Sequence, residues 1–412
     1  MPTQTKPRRA PKPAQLDSLE PDLKAALARA VELMAIPGKS GEERRVAETI
    51  TRHLRKAGVP ASAITSDDAH RHTPYDGQVG NLVLTLPGTL RAPRRLLMAH
   101  LDTVPLCVGC RPVRKRGALH SADPATGLGA DDRAGCAVVL TAALEIVRRR
   151  LPHPPLTFFW PVQEEVGLYG ARFAKLSLLR KPRLAFNWDG GPAEKLTIGA
   201  TGAYRMTIEI TGVASHAGGA PEQGVSAITA AGLAIAKLQA GGWLGDVRRG
   251  ERHGTSNIGV IQGGAATNVV TDRVQLRAEC RSHDPEFRRE ILTAFEQAFQ
   301  HAADTVRNAV GVSAKATVNS RLDYEAFRLD DQEPCVLAAE AAVRRTGGSP
   351  YRAITNGGLD ANWLTARGIP TVTLGCGQHN VHTTGEQLDI TSFEQACRIA
   401  LRLATASEVT DY

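Results

Sequence analysis

The sequence predicts an α/β chain with a mainly parallel sheet, interrupted by a small inserted α+β domain. Short apolar runs alternate with helical periodicity in the first 200 residues and again after about residue 325, as expected for a parallel sheet covered by helices. Between these parts the strands alternate in polarity, and the order β-α-β-β-α-β is typical of a ferredoxin-like domain. A length of 412 residues is sufficient for two domains.

The elements of the larger domain follow from periodicity and stop signals. Apolar residues at helical spacing predict a helix over 23–33, and a second helix over 42–57 ends before Gly58. Apolar runs then predict buried strands over 81–86, 95–99 and 156–161, with a helix over 133–149 between the last two. After residue 325, a strand over 370–375 lies between helical segments over 335–345 and 392–404.

In the inserted domain, residues 203–211 alternate in polarity, which indicates a half-exposed strand. The following elements are a helix over 226–240, strands over 255–262 and 273–281, a helix over 285–308 and a strand over 314–319. The predicted organisation is therefore a disordered basic arm over 1–15, a larger domain over 16–200 and 326–412, and the insertion over 201–325.

Composition excludes several classes of protein. No apolar run approaches the roughly 20 residues that span a bilayer, and the basic N-terminus lacks the apolar stretch of a secretory signal. The N-terminal arm carries +4 of the net charge of +8, and the remaining excess is dispersed, without a basic helix or aromatic platform for nucleic acid. Seven cysteines do not form a disulfide framework, so a reducing cytoplasm is expected. Cys107 and Cys110 are either small apolar loop residues, the preferred interpretation, or a redox-sensitive pair.

Five clusters of acidic residues and histidines lie at or after the ends of predicted strands, where open α/β sheets place their sites. They are His100-Leu101-Asp102, Gly129-Ala130-Asp131-Asp132, Glu164-Glu165, Asp189-Gly190-Gly191 and His379-Asn380-Val381-His382. A strand-end histidine two residues before a carboxylate suits a metal ligand and the acid that orients it. Taken singly, such a histidine can also be an ordinary strand-end residue, and adjacent acids can cap a helix.

In this order, the clusters resemble the di-zinc exopeptidase superfamily of aminoacylase, glutamate carboxypeptidase and peptidase T, most closely the peptidase T-like branch. The resemblance covers about residues 23–404 and rests on His-x-Asp, Gly-x-Asp-Asp, Glu-Glu, Asp-Gly-Gly and a late His-Thr. It implies a zinc-exopeptidase catalytic domain, with the insertion as a lid and dimerisation domain. It also implies two Zn²⁺ per subunit, for which Co²⁺ or Mn²⁺ can substitute.

By position, the resemblance implies that one ion is bound by His100 and Asp189 and the other by Glu165 and His382. Asp131 would bridge the two ions. His379 is the competing candidate for the last ligand, ranked second because His382 is the histidine followed by Thr-Thr-x-Glu.

Further roles are implied for residues beside these ligands. Asp102 would orient His100, and Glu164 would be the general base and acid, taking a proton from a water between the ions and passing it to the leaving amine. Arg133 stands where relatives carry lysine and keeps the positive charge.

The resemblance extends to residues outside the metal clusters. His216, in a loop of small residues, would help stabilise the oxyanion, often from the partner subunit, or is an ordinary loop histidine. Asn268 and Arg281 resemble substrate-side residues, although Arg281 suits a structural ion pair as well as a substrate carboxylate. Gly358 would let the backbone approach a ligand closely.

The predicted function is that of a cytoplasmic, homodimeric zinc metallopeptidase, an aminopeptidase of the peptidase T type that acts on short peptides. A second hypothesis is a carboxypeptidase or N-acyl-amino-acid deacylase, in which Arg281 binds a C-terminal carboxylate. A third is a catalytically inactive metal-binding or assembly protein. The presence of Glu164 beside a full ligand set argues against the third, because a structural zinc site needs neither a base nor an open position.

Overall fold

The computed structural model describes residues 19–405 and divides them into two units. The first unit contains residues 19–196, 331–352 and 369–405, and the second contains Thr197–Asp330 and Ala353–Gly368. The predicted basic arm over residues 1–15 lies outside the described residues. Among residues 19–405, no helix combines the length and apolar character needed to cross a membrane.

The first unit is built on a mixed sheet whose central strands are parallel. The strand order is Ile64–Ser66, Leu82–Leu86, Leu156–Trp160, Arg95–Met98, Leu184–Trp188 and Thr371–Leu374. The first two strands pair antiparallel to their neighbours, and the last four run parallel to one another. Every residue of these four parallel strands is buried, which agrees with their mainly apolar sequences. The predicted α/β fold class is confirmed.

Helices and a small second sheet complete this unit. The helices are Leu23–Met34, Arg44–Lys56, Ala130–Arg149, Tyr169–Arg172, Leu176–Leu179, Pro334–Arg345 and Ile390–Thr405. The long helix Ala130–Arg149 is buried along most of its length between the first and last of these helices. An antiparallel sheet of four short strands, in the order Gln378–His379, Gln387–Asp389, Ala118–Ser121 and Pro112–Lys115, connects the late chain to an early loop.

The second unit is a five-stranded antiparallel sheet in the order Gly245–Arg249, Arg252–Gly263, Arg273–Ser282, Gly202–Thr211 and Lys315–Tyr324. The helices Ala227–Ala240 and Pro285–Thr305 pack on it, and Ile208, Leu276 and Phe295 lie in the fully buried core between them. The unit also contains the short strands Ser215–His216, Val269–Val270 and Phe327–Arg328 and the helix Asp360–Ala366. The strand Gly245–Arg249 is additional to the predicted β-α-β-β-α-β order.

Two strands, Lys195–Ala200 and Tyr351–Thr355, cross the boundaries between the units. The second unit also takes in residues 353–368, which the sequence-based boundaries assign to the larger domain. Asn362 explains this difference, because its side-chain Nδ2 donates to the carbonyl of Thr201 at 3.0 Å and to that of Glu325 at 2.7 Å.

Candidate metal centre

The predicted ligands lie at the carboxyl ends of the four parallel strands of the first unit. His100 follows Arg95–Met98, Glu164 and Glu165 follow Leu156–Trp160, and Asp189 directly follows Leu184–Trp188. His382 lies in the segment after Thr371–Leu374. Because the ends of parallel strands meet at one edge of a sheet, residues distant in sequence come together there.

Asp131 lies at the centre of this group. It stands just before the regular part of the helix Ala130–Arg149, where Asp131 and Asp132 have non-helical backbone angles and are joined by a cis peptide bond. Asp131 Oδ1 lies 3.2 Å from His100 Nε2, and Asp131 Oδ2 lies 3.2 Å from His382 Nε2. The two carboxylate oxygens therefore face two different imidazoles, the arrangement of a carboxylate shared by two cations.

The remaining acids complete two sets of donor atoms that share His100, and one of these sets contains Asp131. His382 Nε2 lies 2.9 Å from Glu165 Oε2. Donor atoms of His100, Asp131 and Glu165 lie within 4.8 Å of one another, as do those of His100, Glu164 and Asp189. All six predicted residues, Glu164 included, thus meet in one place. His379, the competing candidate, pairs through its backbone with Gln387 in the small sheet, and no contact of its ring with these carboxylates is found in residues 19–405.

Asp102 is fully buried and contacts His100 and the backbone of both glutamates. Its Oδ1 lies 3.4 Å from His100 Nδ1 and accepts from the backbone N–H of Glu164 at 3.0 Å. Its Oδ2 accepts from the hydroxyl of Ser40 at 2.6 Å and from the backbone N–H of Glu165 at 3.2 Å. One carboxylate therefore lies beside the imidazole of His100 and also holds the turn that carries both glutamates.

The electrostatics of the centre fit a pair of divalent cations. Burial and the charge of Asp131 raise the pKa of Glu165 to about 7 and that of Asp189 to about 6. These carboxylates are crowded together in a buried site, so their charges are costly without compensation. Two imidazoles and three carboxylates are the ligand types that Zn²⁺ takes in proteins. Bound cations would supply the compensating charge and reverse the pKa shifts of these acids.

Three buried side chains for which the sequence predicted no role support the ligand segments. Asp132, Gln378 and Glu386 are all at most 2% exposed. Glu386 accepts from the backbone N–H groups of Leu128 at 2.8 Å and Gly129 at 2.7 Å through Oε2, and from that of Asp131 at 3.0 Å through Oε1. The Thr-Thr-x-Glu pattern that distinguished His382 from His379 contained Glu386, but its role depends on partners more than 250 residues away.

The Cys107-x-x-Cys110 pair packs beside the same loop. Both thiols are free and buried. Cys107 Sγ lies 3.5 Å from Glu386 Oε2, and Cys110 Sγ donates to the carbonyl of Leu128 at 3.1 Å. Burial raises the pKa of Cys110 to about 11 and also raises that of Cys107. Because the reactive thiolate is disfavoured, these contacts favour the interpretation as packed loop residues over that of a redox pair.

His216 lies in the second unit, on an exposed two-strand ribbon. The backbone N–H groups of Gly218 and Gly219 donate to its Nδ1 at 3.1 and 2.9 Å. In the neutral imidazole the proton is then on Nε2, which becomes an outward-facing donor. The strand Ser215–His216 pairs with Val269–Val270, and the carbonyl of Asn268 accepts from the N–H of Ala217 at 2.9 Å. The ribbon thus holds His216 and Asn268 close together.

Arg281 forms a two-point ion pair within the second unit. Its Nε lies 2.9 Å from Glu279 Oε1, and its Nη2 donates to Glu279 Oε2 at 3.1 Å. The pairing favours the structural of the two interpretations offered by the sequence. Gly358 packs against the ring of Tyr324, since a Cβ built on Gly358 would lie 2.5 Å from Tyr324 Cζ. This close approach alone requires glycine at residue 358, so no ligand is needed to explain the absence of a side chain there.

Comparison with known proteins identifies similarity to metallopeptidases over most of the chain. Residues 96–406 match the model of peptidase family M20/M25/M40. A tripeptidase structure from Staphylococcus aureus is 32% identical with a TM-score of 0.83, covering 93% of this chain and 98% of that one. An aminopeptidase PepT structure from Bacillus cereus is 30% identical with a TM-score of 0.79 and the same coverage. Carboxypeptidase G2 of Pseudomonas sp. is 28% identical over 319 residues, 75% of this chain and 72% of that protein.

Proposed function

The chain belongs to peptidase family M20/M25/M40, and from this premise we propose that it is an aminopeptidase that cleaves short peptides at a two-metal centre. Similarity to the tripeptidase and to the aminopeptidase PepT supports the substrate class, because both resemblances extend over 93% of the chain. The observation that carries the proposal is the placement of Asp131, with one carboxylate oxygen 3.2 Å from His100 and the other 3.2 Å from His382.

His100, Asp131 and Asp189 would hold one cation, and Asp131, Glu165 and His382 would hold the other. Zn²⁺ suits these nitrogen and oxygen donors, and Co²⁺ or Mn²⁺ can substitute. When bound, the pair of cations would polarise the scissile carbonyl and lower the pKa of the attacking water. Asp102 would keep Nε2 of His100 directed at its cation by accepting from Nδ1, 3.4 Å away.

Glu164 is the proposed general base and acid. It is 8% exposed and lies beside the ligand Glu165, on the turn held by Asp102. In this position its carboxylate would accept a proton from the attacking water and return that proton to the leaving amine. His216, with its proton on Nε2, would donate to the developing oxyanion.

Paired peptides distinguish the aminopeptidase from the second hypothesis. A tripeptide with a free N-terminus should be cleaved at its first bond, and the N-acetylated peptide should not be cleaved. A carboxypeptidase or deacylase would accept the acetylated peptide, and would lose activity instead on a peptide with an amidated C-terminus. Release of amino acids measured by mass spectrometry decides between them. Cleavage of the acetylated peptide at an undiminished rate would contradict the aminopeptidase proposal.

We further propose that the inserted domain mediates a homodimer and that the protein works in the cytoplasm. Ile228, Leu233 and Ile261 of the second unit are 50%, 45% and 54% exposed, which suits a surface covered by a partner. Seven free, buried cysteines suit a reducing compartment.

Sedimentation velocity should give the mass of a dimer, and Leu233→Glu should shift the protein toward monomer. Val113→Glu, at a residue of the first unit that is 42% exposed, is the matched control. A wild-type protein that is monomeric and fully active would rule out the homodimer.

A further inference from the structure

Gln378 is a buried amide next to the metal centre, and it has no place in the chemistry proposed above. It lies between the strand Thr371–Leu374 and His382, and it is 2% exposed. Its Oε1 accepts from the backbone N–H of Gly190 at 2.6 Å. Its Nε2 donates to Asp132 Oδ1 at 2.9 Å and to the carbonyl of Ala130 at 3.1 Å. All of its capacity as a donor is used within the protein.

Every partner of this amide is a chain neighbour of a proposed ligand. Gly190 follows Asp189, and Ala130 and Asp132 stand on either side of Asp131. Asp132 extends the connection, because its Oδ2 accepts from the backbone N–H of His100 at 3.1 Å. One side chain therefore links the backbones around all three residues assigned to the same cation.

The chemistry of the partners selects glutamine. The side chain must accept from one N–H and donate to a carboxylate and a carbonyl, and only Asn and Gln offer an acceptor and two donors in one planar group. A glutamate would retain the acceptor but would face Asp132 as a second carboxylate, with no donor between them. An apolar residue would leave the N–H of Gly190 and the buried carboxylate of Asp132 without these bonds, which is costly in the interior.

We propose that Gln378 is a positioning residue that sets the separation of Asp131 and Asp189 and so preorganises one of the two metal positions. Glu386 supports the shared ligand, because its Oε1 accepts from the backbone N–H of Asp131 at 3.0 Å. The inference rests on the proposed two-metal centre, since it concerns how the protein spaces the ligands of that centre.

The test is the stepwise affinity for Zn²⁺ or Co²⁺, measured by calorimetric titration of metal-free protein. Gln378→Glu should weaken one binding step by about 10–100-fold, the range found when residues that orient ligands are replaced. The other step should change much less, whereas Glu386→Gln, which acts on the shared Asp131, should weaken both steps. The double variant Gln378→Glu with Asp132→Asn restores a donor between the two side chains but not the bond to the carbonyl of Ala130, so it should recover part of the lost affinity.

A residue that only supports packing would behave differently. It would lower the melting temperature of metal-free and metal-loaded protein equally, while both stepwise affinities stayed within about threefold of wild type. That result, or equal weakening of both steps without recovery in the double variant, overturns the role of Gln378. Failure of the wild-type protein to bind two metal ions or to cleave peptides would instead overturn the proposed function, so the two failures are distinguishable.

Discussion

Replacing Glu164 with glutamine is expected to lower kcat by about 10²–10⁴-fold, the usual contribution of a general acid–base residue, while the protein keeps two metal ions per chain. The substitution preserves the size of the side chain and removes its ability to take a proton. The backbone N–H of residue 164 would still donate to Asp102 Oδ1, so the turn that carries both glutamates should persist. KM for a tripeptide should change little.

Glu165→Gln provides the matched comparison, because the two glutamates are adjacent but have different proposed roles. Loss of a ligand at residue 165 should reduce metal content, which metal analysis after dialysis would detect. The donor atoms of Glu164, His100 and Asp189 lie within 4.8 Å of one another, so Glu164 could itself bind metal. The metal content of Glu164→Gln therefore also tests whether Glu164 is a base or a ligand. If Glu164→Gln lost metal as Glu165→Gln does, Glu164 would be a ligand and the general-base assignment would fail.

Asp131→Asn should have the other large effect, because both proposed cations depend on this carboxylate. The substitution removes the negative charge that faces His100 and His382. Metal content should fall from two ions to one or none. The several kcal/mol of transition-state stabilisation that metals supply corresponds to a loss in kcat/KM of about 10³-fold or more.

Asp131→Asn also affects the metal-free protein. Since burial and the charge of Asp131 hold the pKa values of Glu165 and Asp189 high, removing that charge should lower both. The exposed Asp76→Asn in the same unit should leave metal content and kcat/KM unchanged. Retention of two metals with activity within tenfold of wild type would show that Asp131 is not shared.

The sequence predicted three of the four parallel strands that are buried at every residue, and Leu184–Trp188 was not among its predicted strands. Leu156–Trp160 is buried at every residue, and a continuous apolar run predicts it directly. The strand Gly245–Arg249 was missed because Val247 is its only buried residue and it lies at a sheet edge. Pro112–Lys115 was missed for the same reason, since none of its residues is buried. Strands of this kind are defined by their pairing partners and not by their own hydrophobicity.

Some residues of the candidate site could be predicted from the sequence, and others could not. The acids and histidines could be found because each stands in a short motif at a strand end, and a family resemblance gives their order. Gln378 could not be found, because its significance depends on Ala130 and Asp132, about 250 residues earlier in the chain. Arg281 was ambiguous until its ion pair with Glu279 was visible, since a guanidinium binds a protein carboxylate and a substrate carboxylate with the same geometry.

The sequence distance between the ligands has a consequence for biosynthesis. Glu165 and His382 face each other across 217 residues of chain. At the usual elongation rate of about 5–20 residues per second, roughly 10–40 s separate their translation. The nascent polypeptide therefore carries an incomplete set of the proposed donors until His382 has been translated. Binding of both proposed cations would consequently have to follow the synthesis of that segment.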